Sequence, residues 1–367
     1  MNSVRIDRQA LRANFQAIKA GLASHTELMA VVKADAYGHG MEETAATLHA
    51  VGARHFAVAT VEQGMALRRA GIAGAILVLL GGQAAEVPAM LRHNLETVIF
   101  DSDQFAEFRA AVGTGPGRLA VHLKLDCGMG RLGFKPEEAG IWSARIQAVP
   151  GLRLVGIMSH FPSADVDLAL TRRQNEVFGG CVAAVRAGTP GVTAHIANSA
   201  ATLCGEEFCW DLVRPGLALY GCSPFAGSLA PCPLAPVMSV ASTIVQVEDA
   251  PADKGISYGH LNRTTRPSRL AVLPLGYADG YMRSLSGGVG QVLIRGRRAP
   301  IIGRVCMNVT VVDVTDIPAA RRGDEVIVMG RQGDQQITAD EIAGWMGTIS
   351  YEVLCLFGSG MARQYST

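Results

Sequence analysis

Of the 33 basic side chains in this 367-residue chain, only five are lysines, at positions 19, 33, 124, 135 and 254. Lys33 and Lys124 interrupt apolar, strand-like runs, LMAVVK (28–33) and LAVHLKLD (119–126). A lysine closing a buried strand loses hydration, which disfavours the ammonium, lowers its pKa and leaves a nucleophilic amine. The commoner arrangement lays the stem along apolar surface and keeps the charge in water. The rarity of lysine here and its strand-end position favour Schiff-base chemistry at Lys33. After Lys33 the run breaks into ADAYGHG, and helical patterning begins at Met41, so the lysine belongs to a strand–loop–helix unit.

Eight apolar, β-branched runs recur up to about residue 221: 28–33, 55–59, 75–80, 96–100, 119–126, 152–160, 192–198 and 212–221. Most gaps carry helical periodicity, as in 62–70, 84–92 and 102–111, and the gap after the seventh run allows a brief helix. This alternation predicts an α/β fold, a (β/α)8 TIM-type barrel. The proline-rich PCPLAP (231–236) then marks a change to β-rich patterning with one short helix at 338–346. The expected domains are a barrel over 1–236, whose first few residues are free to join the second domain, and a mostly-β domain over 237–367. Barrel active sites lie at the C-terminal ends of the strands. Lys33, Lys124 and His160 fall at or near such ends, Asn198 and Ser199 follow the seventh run and Arg214 lies in the eighth, which points to one site.

Composition narrows the function classes. A net charge of +1 gives no reason to expect nucleic acid or a membrane surface as partner. No apolar run reaches the ~20 residues of a membrane helix, and the N-terminus lacks a secretory apolar core. Eight cysteines without a CxxC pair show no zinc spacing and fit a reducing compartment. A soluble cytoplasmic enzyme without a metal is expected.

Further motifs surround these positions. LKLDCGMGRLGF (123–134) sets Lys124 and Arg131 around a glycine-rich turn, a pattern open to anion binding. HIANSAATL (195–203) puts Ser199 where it serves either as an N-cap or as a phosphate ligand. Arg214 stays cationic and can donate a hydrogen bond without transferring a proton. His160 alone reads as a core histidine, and Tyr258 in GISYGHL (255–261) as a strand tyrosine.

Taken together, the motifs resemble the bacterial alanine racemases, with about eight motifs in family order over essentially the whole chain. AVVKADAYGHG (30–40) is similar to the segment whose lysine binds pyridoxal 5′-phosphate (PLP), which implies Lys33 as cofactor lysine and Tyr37 as a phosphate contact. The resemblance further implies a carbamylated Lys124 that orients Arg131, and cofactor contacts from His160, Asn198, Ser199, Arg214, Gly216 and Leu217. Tyr258 carries over as the second catalytic base, and Arg131 and Met307 as substrate-carboxylate ligands. A gate is implied at Tyr277, Arg283, Arg304 and Tyr351, with Tyr351 also reaching the phosphate. Two positions depart from the family: Asn308 replaces an aspartate and Asn262 a tyrosine, which bears on substrate breadth and pH dependence.

The expected activity is interconversion of L- and D-alanine by Lys33 and Tyr258 on opposite faces of Cα, in a homodimer with shared sites. It would supply D-alanine for peptidoglycan or serve alanine catabolism. The alternatives are a racemase of broader or serine-type specificity, a PLP-dependent decarboxylase, and a non-catalytic PLP carrier, against which the second domain argues.

Overall fold

The computed structural model describes residues 2–113, 117–225 and 231–366. It opens with strand β1 (Ser3–Ile6) and a helix, Arg8–Ala20, whose first turn is capped by the Asp7 carboxylate. Eight strands of one parallel sheet follow: β2 (Glu27–Val31), β3 (His55–Val58), β4 (Ala75–Val78), β5 (Glu96–Ile99), β6 (Leu119–Lys124), β7 (Leu152–Met158), β8 (Thr193–His195) and β9 (Leu212–Val213). All eight coincide with the apolar runs of the sequence, β2 starting one residue earlier at Glu27. Their order runs β8 to β2 and then β9, and the Arg214 N–H bonds the Ala197 carbonyl at 3.0 Å across the remaining seam, so the barrel is nearly closed. The helix after β8 is brief, Ser199–Cys204.

The second unit is a largely antiparallel sheet. Its strand β10 (Met238–Thr243) pairs with β1 in the register Ser3–Ala241 to Ile6–Met238, and the strand Arg363–Tyr365 lies parallel on β1's other side. The expected short helix is present at Ala339–Met346.

Two features of local structure differ from the sequence expectation. The segment after Lys33 is not an irregular loop: Ala34, Asp35, Ala36 and Tyr37 all have φ of 52 to 54° and form a left-handed turn. Such a turn costs about 1–2 kcal/mol per residue in L-amino acids. The Ala36 N–H to Val32 carbonyl bond (2.9 Å) and Gly40 N–H to Asp35 carbonyl bond (2.9 Å) hold it internally. From outside, Arg363 pairs with Asp35 and donates to the Gly38 carbonyl at 2.9 Å. The second feature is a helix, Ser350–Gly360, within the β-rich domain. Its buried residues 350, 353, 354, 357 and 358 recur at helical spacing, a pattern masked by the high overall apolarity of the segment.

Candidate active site

A cavity of about 410 Å³ opens at the C-terminal ends of the barrel strands. Lys33 and Tyr37 enter it from the left-handed turn, Lys124 from the end of β6, Arg131 from the following loop, and His160 from beyond β7. Asn198 and Ser199 follow β8, and Arg214, Gly216 and Leu217 follow β9. Helix Ser350–Gly360 closes one side with Tyr351 and Cys355, one turn apart. Tyr37 lies between Tyr351 and Tyr220, at ring separations of 5.8 and 4.9 Å.

Small-residue choices shape the far end of this cavity. The Ser199 hydroxyl accepts from the Gly216 and Ala218 amides at 2.9 and 3.3 Å. A side chain at Gly216 would put Cβ 2.3 Å from the Tyr37 hydroxyl, so glycine is required for that approach. Asn198, not Ser199, caps the brief helix: its Oδ1 accepts from the Ala201 amide at 3.1 Å and its Nδ2 donates to the Phe161 carbonyl. The loop carrying Arg131 is gathered by Asp126, whose carboxylate accepts from the amides of Gly128, Met129, Gly130 and Arg131 at 2.7 to 3.1 Å.

Lys33, Lys124, Arg131 and Arg214 crowd positive charge into this space. Burial, then Arg131 and Arg214, lowers the Lys33 pKa. Lys124 is pulled down to about 8 by burial first and then by Arg214, Arg131 and Lys33. Burial and the same cations hold His160 well below the ordinary histidine range, so its ring is neutral. Arg214 is 4% exposed and is pulled down to about 9 by burial, still a cation at neutral pH. It donates to the carbonyls of Ser159 (2.7 Å) and Ile196 (3.2 Å) and to Nδ1 of His195 (2.7 Å).

Tyr258, Tyr277, Arg283, Arg304 and Met307 do not line this cavity among the described residues. They belong to loops of the second domain. Arg304 Nε donates to the Tyr258 carbonyl at 3.1 Å, and the Tyr277 and Ala278 amides bond the Cys306 and Met307 carbonyls. Tyr258 is 73% and Met307 57% exposed. The Ser257 φ of 57° kinks the chain just before Tyr258 and turns the tyrosine out of the sheet.

The N-terminal domain of the alanine racemase family matches residues 6–224, and its C-terminal domain matches residues 237–365. The chain belongs to the alanine racemase family. It is similar to the alanine racemase of Syntrophobacter fumaroxidans, 41% identical over 363 residues, 99% of this chain and 96% of that protein. The crystal structure of alanine racemase from E. faecalis superposes with a TM-score of 0.93 at 32% identity, covering 100% of this chain and 98% of that one. Alanine racemase from Bartonella henselae, with covalently bound pyridoxal phosphate, gives 0.90 at 28% identity, covering 100% and 99%. The chain is thus an enzyme of a family of amino-acid isomerases.

Within this alanine racemase framework, the departure at Asn262 has a structural role: its Oδ1 accepts from the Gly303 amide at 2.8 Å, tying the Tyr258 loop to the Arg304 segment. Asn308 is exposed beside Met307. Sequence reasoning missed Cys355, whose signal was its i+4 spacing from Tyr351 once that segment is seen as a helix.

Proposed function

We propose that the protein racemises alanine with pyridoxal 5′-phosphate attached at Lys33, and that two copies of the chain share their sites. The observation that carries this reading is the Lys33 amine, depressed in pKa and set in a cavity rich in cations. That cavity suits the group: four cationic side chains call for an anionic ligand, and the glycine-dependent cleft between Tyr37 and Ser199 suits a phosphate. Tyr37, Asn198, Ser199, Gly216, Leu217 and Tyr351 would hold the phosphate, His160 would lie against the ring, and Arg214 would face its nitrogen.

When bound, the cofactor supplies an electron-withdrawing ring that acidifies the α-proton of an attached amino acid. The residues do the rest. Arg214 donates a hydrogen bond to the ring nitrogen but keeps its proton, which moderates electron withdrawal and disfavours side reactions. The Lys33 amine takes or returns the α-proton on one face of Cα. The Tyr258 phenol from a second copy serves the opposite face, so that each turnover inverts the centre. Arg131 and the Met307 backbone hold the carboxylate, and Tyr277, Arg283, Arg304 and Tyr351 guard the way in. Substrate is alanine, and the D-isomer formed is available for cell-wall precursors.

Incubation with L-alanine in deuterated water tests this. Expected is D-alanine carrying deuterium at Cα, with borohydride fixing the cofactor to Lys33. Release of CO2 would mean a decarboxylase, and an unchanged substrate would mean a carrier.

A further inference from the structure

Behind Arg214 the barrel interior holds a line of polar side chains, His195, His122 and Glu96, that the proposed chemistry does not use. Arg214 donates to Nδ1 of His195 at 2.7 Å; Nε2 of His195 lies 2.8 Å from Nδ1 of His122; Nε2 of His122 lies 3.0 Å from Oε2 of Glu96. We infer that Glu96, His122 and His195 are positioning residues that fix the place and hydrogen-bond direction of Arg214 from the opposite end of the barrel. This rests on the reading that Arg214 faces the cofactor ring.

The direction of the line follows from its ends. A guanidinium has no acceptor and an ionised carboxylate no donor. Arg214 must donate to His195 Nδ1, so the His195 proton is on Nε2 and is given to His122 Nδ1. The His122 proton is then also on Nε2 and is given to Glu96. Both imidazoles are neutral, and one arrangement of protons satisfies every member.

The path is built into the strands. Glu96 begins β5, at the end of the barrel away from the cavity, and its side chain keeps 23% exposure. His122 and His195 are 4% and 0% exposed. Barrel interiors are normally filled with branched apolar side chains, and buried polar groups persist there only when all are paired. Opposite His122 in register stands Gly156 of β7, where an added Cβ would lie 1.9 Å from His122 Nδ1. The pairing of the two strands is irregular at that point, between Val121 and His122. The glycine and the irregularity together admit the ring.

Glu96 supplies the line's last acceptor. Burial works against its carboxylate, yet the His122 hydrogen bond and the nearby His55 and Arg153 hold its pKa below the ordinary value, so it is ionised. A leucine at 96 offers no acceptor, which leaves the buried His122 Nε2–H unpaired and the line free to shift away from Arg214.

The test is 15N NMR of histidine-labelled, cofactor-loaded protein from pH 6 to 9, with the His122 and His195 signals assigned by single replacement. Expected are two imidazoles with a bare Nδ1 and a protonated Nε2. In Glu96→Leu the His122 signals should lose this fixed pattern, and kcat for alanine should fall about tenfold, with KM changing less than about twofold. Gly156→Ala, which removes no charge and no member of the line, should produce the same loss if Glu96→Leu folds poorly. The opposite tautomer at either imidazole in the native protein, or an unchanged kcat in both variants, overturns the inference. Locked tautomers in a protein that does not racemise alanine would instead overturn the proposed function.

Discussion

Lys124 shows how a residue's surroundings change its chemistry. Carbamate formation requires a neutral amine, which forms an N–C bond to CO2 and releases a proton. With a pKa near 8, roughly one in ten Lys124 side chains is neutral at pH 7, against roughly one in three thousand for an unperturbed lysine. The modification replaces a cation by an anion next to Arg131, turning repulsion into a charge-assisted hydrogen bond. Because burial depresses this pKa, the reactive form grows as pH rises through about 8, well below the range of a free lysine. Labelled bicarbonate should therefore give a carbamate 13C signal that strengthens from pH 6 to 8 and is absent in Lys124→Ala. That variant should lose about 100-fold in kcat/KM, and acetate should restore part of it by supplying an anion in the vacated space. A silent 13C spectrum with no acetate rescue would count against the modification.

At the scale of elements, the helix Ser350–Gly360 and the left-handed turn define the cavity by touching at glycines. A Cβ on Gly358 would lie 2.2 Å from Gly38 Cα, and one on Gly38 would lie 2.4 Å from the Leu354 carbonyl. Gly38 also has φ of 81°, which a side chain would strain. Gly358→Ala should push the helix off the turn, move Tyr351 and Cys355, and lower kcat/KM at least about tenfold while costing about 1–3 kcal/mol of stability. Gly344→Ala, in the helix Ala339–Met346 with nothing within 4 Å of the new Cβ, should instead stabilise by about 0.5–1 kcal/mol and leave activity alone. Thermal melts and steady-state rates of the two variants separate a general helix effect from the packing contact.

Across the whole molecule, the exposed Tyr258 and the cavity of its own barrel stand apart, and the shared-site reading explains both. In an isologous, two-fold symmetric pair, each second domain would cover the other copy's barrel mouth. Lys33→Ala and Tyr258→Phe should each be inactive. After subunit exchange about half the dimers are mixed, each with one intact site, so about a quarter of wild-type activity should return. If exchange is verified by mass and no activity returns, Tyr258 serves the lysine of its own chain.

Much of the site was legible in the sequence because its chemistry lies at strand ends, and strand ends are marked where an apolar run stops. Lys33, Lys124, His160, Asn198 and Ser199 stand out on that signal and Arg214 as a cation inside the eighth run, and the cavity joins all six. The eight barrel strands were equally plain, since buried parallel strands read as unbroken apolar runs. Only the tertiary structure decided what depends on contacts distant in sequence. The left-handed turn after Lys33 is held partly by Arg363, more than 300 residues away, and nothing in ADAY announces it. The helix Ser350–Gly360 became a cavity wall by packing on that turn. Glu96, His122 and His195 sat in three separate apolar runs as isolated polar residues, and only the closing of the barrel brought them into line with Arg214. Sequence pattern records each residue's preference for water or for core, whereas the pairing of buried polar groups is set by which strands become neighbours.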